Sequence, residues 1–134
     1  MRDIANREDI YYLMECFYAK AVPDDTIGYF FSDVSKIHLA DHLPVITDFW
    51  EMVVFGGNQY KKNAIAVHMH LHQLSAMKSK HFDRWLHLFA NTVNELFEGP
   101  NAELIKQRAV SIATVMKIKI LQSSPINNLQ NDDK

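Results

Sequence analysis

Three histidines alternate with apolar residues in the run VHMHLH, which spans residues 67–72. Neutral imidazole binds zinc, copper and iron, so the run is a candidate metal site. On a strand, all three imidazoles would face one side and could hold zinc. On a helix, only His68 and His72 share a face, and His70 points away. Zinc stays open as an alternative, although the chain has no HExxH motif and no carboxylate within the run.

A further histidine, His42, belongs to an apolar stripe on the preceding predicted helix. Five residues recur there at helical spacing and share one face: His42, Ile46, Phe49, Trp50 and Val53. The chain turns back at the glycines 56–57, so this face and the His68 segment can lie opposite each other across a slot. Phe31 and the stripe containing Trp85 would form its other walls. A planar apolar cofactor with a central metal fits such a slot, and haem is one. With no CxxCH motif, the haem would have no thioether bonds, as in haem b.

The elements that must position these residues are all helical in pattern. Four glycines and four prolines leave few breaks, and no long stretch alternates as a half-buried strand would. The long helices are predicted over about Arg7 to Val22, His38 to Phe55, Ser79 to the residues before Gly99-Pro100, and from a cap at Asn101 to about Leu121. Two shorter apolar pieces are predicted as well. The first follows Asp24 or Asp25, either of which could cap it, and the second spans about Ala64 to Leu71. Residues 1–122 are predicted to form one all-α domain, and the polar residues 123–134 a disordered tail.

Three of the long helices carry apolar stripes that should face a common core. The first stripe is Ile10, Leu13, Met14, Phe17 and Ala21. The second is Phe82, Trp85, Leu86, Phe89, Val93 and Leu96, and the third is Ile105, Ala109, Ile112, Met116 and Ile120.

Composition excludes several classes of protein. Lys and Arg total 14 against 16 acidic residues, a net charge of −2, which argues against nucleic-acid binding. No apolar run approaches the roughly 18–20 residues that cross a bilayer. Cys16 is the single cysteine, so internal disulfides, iron–sulfur clusters and cysteine-rich zinc sites are excluded. Without a secretory signal pattern at the start, we expect a cytoplasmic protein.

Several blocks in order make the chain resemble a known family. They are Phe17-Tyr18, Phe31, DHLPVITDFW at 41–50, Tyr60 eight residues before His68, FDRWLHLF at 82–89 and AELIKQRA at 102–109. Together they cover about Ile4 to Ile120 and resemble the truncated haemoglobins, specifically the third group of that family.

The resemblance implies a shortened globin fold, two helices packed over two around one b-type haem. His68 matches the proximal ligand of a penta-coordinate iron. Tyr18, His42 and Trp85 match the polar residues of the distal side, where gases bind. Phe31 matches the aromatic that packs against the haem plane. Further haem contacts are expected from Ile46, Phe49, Trp50, Tyr60 and His72.

The chain also departs from the family pattern. Lys62 stands where a glycine is common, and Ala64 where a proline is frequent, so the backbone path into the proximal helix is in doubt. Val45, three residues after His42, offers no cation to a haem propionate. The candidate cations for the propionates are therefore Lys36, Lys62, His72 and Arg84.

The hydroxyl of Tyr18 and the indole N–H of Trp85 would donate hydrogen bonds to a bound oxygen molecule, which carries partial negative charge. Two hydrogen bonds of about 1.5–3 kcal/mol each could slow oxygen release by about a hundredfold, which suits oxygen and nitric oxide or peroxide chemistry better than bulk transport. The alternatives are gas sensing or oxygen binding without turnover, and a haem-free zinc or interaction module. The expected small ligands are O2, NO, CO or peroxide. Turnover would need a separate reductase. For the oligomeric state, monomer and dimer are both left open by the sequence.

Overall fold

The computed structural model describes residues 1–29, 39–57 and 78–123. In these ranges the chain forms four helices, α1 (Arg7–Ala21), α2 (Leu39–Phe55), α3 (Ser79–Leu96) and α4 (Pro100–Ser123), and no strand. The all-α prediction is confirmed. Several residues singled out in the sequence lie outside the described ranges: Phe31, Lys36, Tyr60, Lys62, Ala64, His68, His70 and His72. Most of the predicted tail lies outside them as well.

Local signals set the ends of α1 and α2 close to the predicted positions. The Asn6 side chain caps α1 by accepting from the backbone N–H of Asp9 at 3.0 Å. The helix ends at Ala21, one residue before the predicted end. α2 ends at Phe55, as predicted, because Gly56 and Gly57 adopt φ angles of 87° and 106°, a left-handed region that favours glycine.

The helices pack in two layers. α1 packs against α2, α3 packs against α4, and the layers meet through α1 on α3 and α2 on α4. This is the two-over-two arrangement that the family resemblance predicts. No helix in the described ranges is long and apolar enough to cross a membrane.

The predicted stripes form the core between the layers. All five residues of the α1 stripe are at most 1% exposed. Phe82, Phe89 and Val93 on α3 are buried, as are Ile105, Ala109 and Met116 on α4. Trp85, Leu86, Leu96 and Ile112 are half-buried against the same cluster, whereas the side chain of Ile120 lies outside the described residues. Burying one large apolar side chain stabilises the fold by about 1.5–3 kcal/mol, so these stripes supply the main stabilising contribution.

The start of α4 differs from the prediction. The helix begins at Pro100, and Asn101 is not its cap. The carboxylate of Asp3 accepts hydrogen bonds from the backbone N–H groups of Asn101 and Ala102, both at 2.9 Å. Asn101 instead donates from its side chain to the carbonyl of Ile4 at 2.8 Å. The cap thus comes from a residue 98 positions earlier in the chain, which no local pattern could indicate.

The corner after α1 is organised by Asp24. One oxygen of its carboxylate accepts from the backbone N–H groups of Thr26 and Ile27 at 3.0 and 3.1 Å, and of the two candidate caps the structure thereby selects Asp24. The other oxygen accepts from Nε and Nη2 of Arg84 on α3 at 2.9 and 2.8 Å. These bonds, above all those from Arg84, hold the pKa of Asp24 below its usual range.

Replacing Asp3 with alanine should lower the free energy of unfolding by about 1–2 kcal/mol, because the first N–H groups of α4 lose their acceptor. Asp83→Ala is the control, since that carboxylate is exposed and pairs only with Lys117 among the described residues. Chemical denaturation of both variants measures the difference. Equal losses would show that Asp3 contributes no more than a surface charge does.

Asp24→Asn should lower stability at neutral pH by roughly 1–3 kcal/mol, because Arg84 then loses the carboxylate to which it donates both hydrogen bonds. A carboxylate with a depressed folded-state pKa contributes stability above its unfolded pKa of about 3.9 and loses it as the pH falls through the folded value. The gap between wild type and variant should therefore narrow below about pH 4. Denaturation midpoints from pH 7 to pH 3 test this, and a gap independent of pH would contradict it.

Candidate functional site

Tyr18 and His42 meet across the interface of α1 and α2. The Tyr18 hydroxyl and the His42 Nε2 atom are 2.8 Å apart, and the two rings pack edge to face with centroids separated by 5.1 Å. Tyr18 is 6% exposed. Burial raises the pKa of Tyr18 well above that of a solvated phenol, so the hydroxyl keeps its proton at neutral pH. The pair places polar atoms beside the buried apolar residues of α1 and α2, such as Phe17 and Trp50.

The tautomer of His42 decides what this pair can do. If Nε2 carries a proton, it donates to the Tyr18 oxygen, and the phenolic proton is left to donate to a third group. If Nε2 is bare, Tyr18 donates to it, and the same proton cannot also serve a ligand. A ligand that needs a donor from Tyr18 therefore favours the Nε2–H tautomer of His42.

An aromatic cluster lies next to the pair and connects three helices. Phe89 is stacked between Trp85 and Trp50, at centroid distances of 5.2 and 5.0 Å. Phe17 contacts Tyr18, Trp85 and Phe89 edge-on, at 5.1, 5.8 and 5.5 Å. These contacts restrict the ring of Trp85, which is half-buried and carries an indole N–H donor.

A cavity of about 30 Å³ lies inside this cluster. Ten of the described residues line it: Met14, Phe17, Tyr18, Ile46, Phe49, Trp50, Trp85, Phe89, Ile112 and Met116. Five of them are predicted site residues, namely Tyr18, Ile46, Phe49, Trp50 and Trp85. A space of this size accommodates a molecule as small as water or a diatomic gas.

The structure thus brings six predicted site residues together, these five and His42. Phe31, Tyr60, His68 and His72 lie outside the described residues, so their roles stay predictions. Met14, Phe89, Ile112 and Met116 are predicted from the sequence as core positions only. Their stripes are visible in the sequence, but a stripe does not show which of its members border a cavity.

Arg84 is one of four candidate cations for a haem propionate, and in the structure it has a different partner. Its Nε and Nη2 atoms both donate to Asp24, and its side chain is 40% exposed. This occupation argues against Arg84 as a propionate ligand. Lys36, Lys62 and His72 lie outside the described residues and stay candidates.

The described residues fit the distal wall of a haem pocket. Their cavity surface is mostly apolar, as an apolar ring requires, and Tyr18 and Trp85 are among the described lining residues that carry a hydrogen-bond donor. Within the described ranges no three His, Cys, Asp or Glu side chains cluster to hold a metal ion. His68, the predicted proximal ligand, lies outside the described ranges.

Comparison with known proteins gives two matches to the same family. The chain is 30% identical over 112 residues to the group 3 truncated haemoglobin of Campylobacter jejuni, and the match covers 81% of this chain and 86% of that protein. The crystal structure of a group III truncated haemoglobin from Campylobacter jejuni matches with a TM-score of 0.80 at 25% identity, over 94% of this chain and 100% of that chain. No family model matches the chain. Because sequence identity and fold agree over most of both chains, the chain belongs to the group 3 truncated haemoglobin family, which implies a haem cofactor and diatomic ligands.

Proposed function

We propose that this globin binds oxygen and other diatomic ligands at a penta-coordinate haem b, with His68 as the proximal ligand. Tyr18, His42 and Trp85 form the polar distal side, and the pocket serves oxygen and nitric oxide or peroxide chemistry rather than bulk transport. The hydrogen bond between Tyr18 and His42 carries the proposal, because it places a protonated phenol in an apolar cavity. Haem, when bound, supplies the iron at which the gas is held.

Burial makes these donors effective. Water competes poorly for a donor that lies inside a cluster of Phe17, Phe89 and Trp50, so a hydrogen bond to a ligand there keeps more of its intrinsic strength. A bond to a charge-bearing partner contributes about 1.5–3 kcal/mol, and each 1.4 kcal/mol is about a factor of ten in an equilibrium. Tyr18 and Trp85 acting together would therefore hold oxygen too firmly for a carrier that must release it.

Ligand binding without turnover is the competing function, as in a gas sensor. The two functions would differ in the rates of reaction with nitric oxide or peroxide rather than in the affinity for the gas. Sustained turnover also requires a source of electrons, and a separate reductase is the partner proposed to supply them. The zinc alternative is disfavoured, because membership of a haemoglobin family implies haem.

Tyr18→Phe should speed oxygen dissociation about tenfold or more, because the ring is kept and only the donor is lost. Tyr11→Phe is the matched control on the same helix, since Tyr11 packs against the core but does not line the cavity. Stopped-flow displacement of oxygen by carbon monoxide gives both rates. An unchanged rate in Tyr18→Phe would remove Tyr18 as a ligand donor.

His68→Ala should lose or greatly weaken haem binding, whereas His42→Ala should keep the haem and change ligand rates. We expect this difference because the imidazole of His68 would bond the iron, whereas the imidazole of His42 contacts Tyr18. His87→Ala, an exposed position on α3, is the control. Haem titration of the apoprotein, followed by the Soret band near ~400 nm, measures retention. Equal haem affinity in His68→Ala and His42→Ala would show that the assignment of sides is wrong.

A further inference from the structure

Two of the described residues that line the cavity beside Tyr18 are methionines. Met14 lies on α1 and Met116 on α4, and they are 1% and 2% exposed. The sulfur atom of a thioether carries lone pairs and accepts an oxygen atom from peroxide, which gives methionine sulfoxide. Because solvent scarcely reaches either residue in the folded protein, an oxidant has to enter the cavity before it can meet these sulfur atoms.

Met14 and Tyr18 share one face of α1. They are four residues apart in the chain, and residues at this spacing on a helix have Cβ atoms about 5–6 Å from each other. Both residues also line the same cavity. A polar atom added to Met14 would therefore enter the space that Tyr18 borders, beside the ring whose hydroxyl is the proposed ligand donor.

Oxidation converts Met14 from an apolar side chain into a hydrogen-bond acceptor. A sulfoxide oxygen that is cut off from water needs a donor, since a buried polar group without a partner is costly. Among the described residues that line the cavity, side-chain donors are carried by Tyr18, Trp50 and Trp85. Tyr18 is the one that lies on the same helix face as Met14, so it is the donor that the sulfoxide should engage.

We propose that Met14 is a site of oxidation by hydrogen peroxide that enters the distal pocket, and that its sulfoxide takes the Tyr18 hydroxyl from the gas ligand. In this step a sulfur lone pair attacks one oxygen of the peroxide, the S–O bond forms and the O–O bond breaks. The second oxygen leaves as water with both hydrogens, so the thioether loses two electrons and the peroxide gains them.

The consequence is a pocket that holds oxygen less firmly after exposure to peroxide. A phenolic proton donated to the sulfoxide of Met14 is no longer available to a bound gas. The proposal rests on the proposed function, because it assumes that peroxide reaches this cavity and that Tyr18 donates to the ligand. It adds a residue through which one ligand of the pocket alters the binding of another.

Peptide mass spectrometry of the peroxide-treated ferric haem protein locates the oxidised residues. We expect the mass of one added oxygen atom at Met14, and much less of it when cyanide occupies the ligand position and its excess has been removed beforehand. Met1 is the internal control, because it is 75% exposed and should be oxidised equally with and without cyanide.

Three outcomes of this measurement would overturn the proposal. The first is an unmodified Met14 at peroxide doses that oxidise Met1. The second is equal oxidation of Met14 with and without cyanide, which would mean that the oxidant does not arrive through the ligand position. The third is oxidation confined to Met116, which would show that the sulfur beside Tyr18 is not the acceptor.

Oxygen dissociation, measured on each protein before and after peroxide treatment and reduction to the ferrous form, tests the competition for Tyr18. It should speed about tenfold in the wild type, as expected for the loss of one donor. Met14→Leu keeps an apolar side chain of similar volume, so its rate should not respond to peroxide. Met116→Leu is the matched control, since it removes the other thioether of the cavity and should respond as the wild type does. An unchanged wild-type rate with Met14 oxidised, or an equal response in Met14→Leu, would contradict the competition.

Failure of this proposal can be distinguished from failure of the proposed function. If Tyr18→Phe speeds oxygen dissociation while Met14 stays unoxidised, the donor role of Tyr18 stands and the oxidation site falls. If Met14 is oxidised while Tyr18→Phe leaves oxygen dissociation unchanged, the oxidation site stands, and the competition falls together with the donor role.

Discussion

α1 buries its apolar stripe almost completely, and this burial fixes the rotation of the helix about its own axis. Ile10, Leu13 and Ala21 are fully buried, and Met14 and Phe17 are 1% exposed. A helix anchored along its length in this way has no freedom to turn. Phe17 and Tyr18 are neighbours in sequence and point about 100° apart. Once Phe17 faces the aromatic rings of α3, Tyr18 has to face His42 on α2.

The polar pair depends on this packing for its chemistry as well as its geometry. A phenol exposed to water would exchange hydrogen bonds with solvent and give a ligand little net stabilisation. In the observed arrangement Tyr18 is buried, its ring packs against Phe17, and its hydroxyl lies at hydrogen-bond distance from the Nε2 atom of His42. The aromatic cluster thus keeps water away and holds Trp85 in place, so packing and ligand chemistry share the same residues.

Polar contacts at the ends of the helices hold the frame around this core. The segment before α1 caps α4 through Asp3, and the corner after α1 is tied to α3 through Asp24 and Arg84. Arg7 on α1 contacts Asp48 and Glu51 on α2 at 2.6 and 2.9 Å. Exposed ion pairs of this kind contribute little stability individually. Their positions matter more, because they connect α1 to the other three helices at points outside the apolar core.

The four long helices, their apolar stripes and the family can be recognised from the amino-acid sequence alone. Periodicity indicated which faces are buried, since burial of an apolar stripe follows from helical geometry. The end of α2 is also set by the local sequence, because Gly56 and Gly57 can adopt a backbone conformation that other residues avoid. The blocks around Tyr18, His42 and Trp85 indicate the globin family through their residue types and their order along the chain, which need no knowledge of which helices touch.

Which side chains meet depends on how the helices pack against one another. The contact between Tyr18 and His42, the stack of Trp85, Phe89 and Trp50, and the cap that Asp3 gives to α4 all join residues far apart in the chain. A helical stripe fixes a face but not the neighbour that the face will touch, so Arg84 could not be assigned to Asp24 from its position alone. The cavity beside Tyr18 is likewise a property of the packed structure, because residues of all four helices line it together.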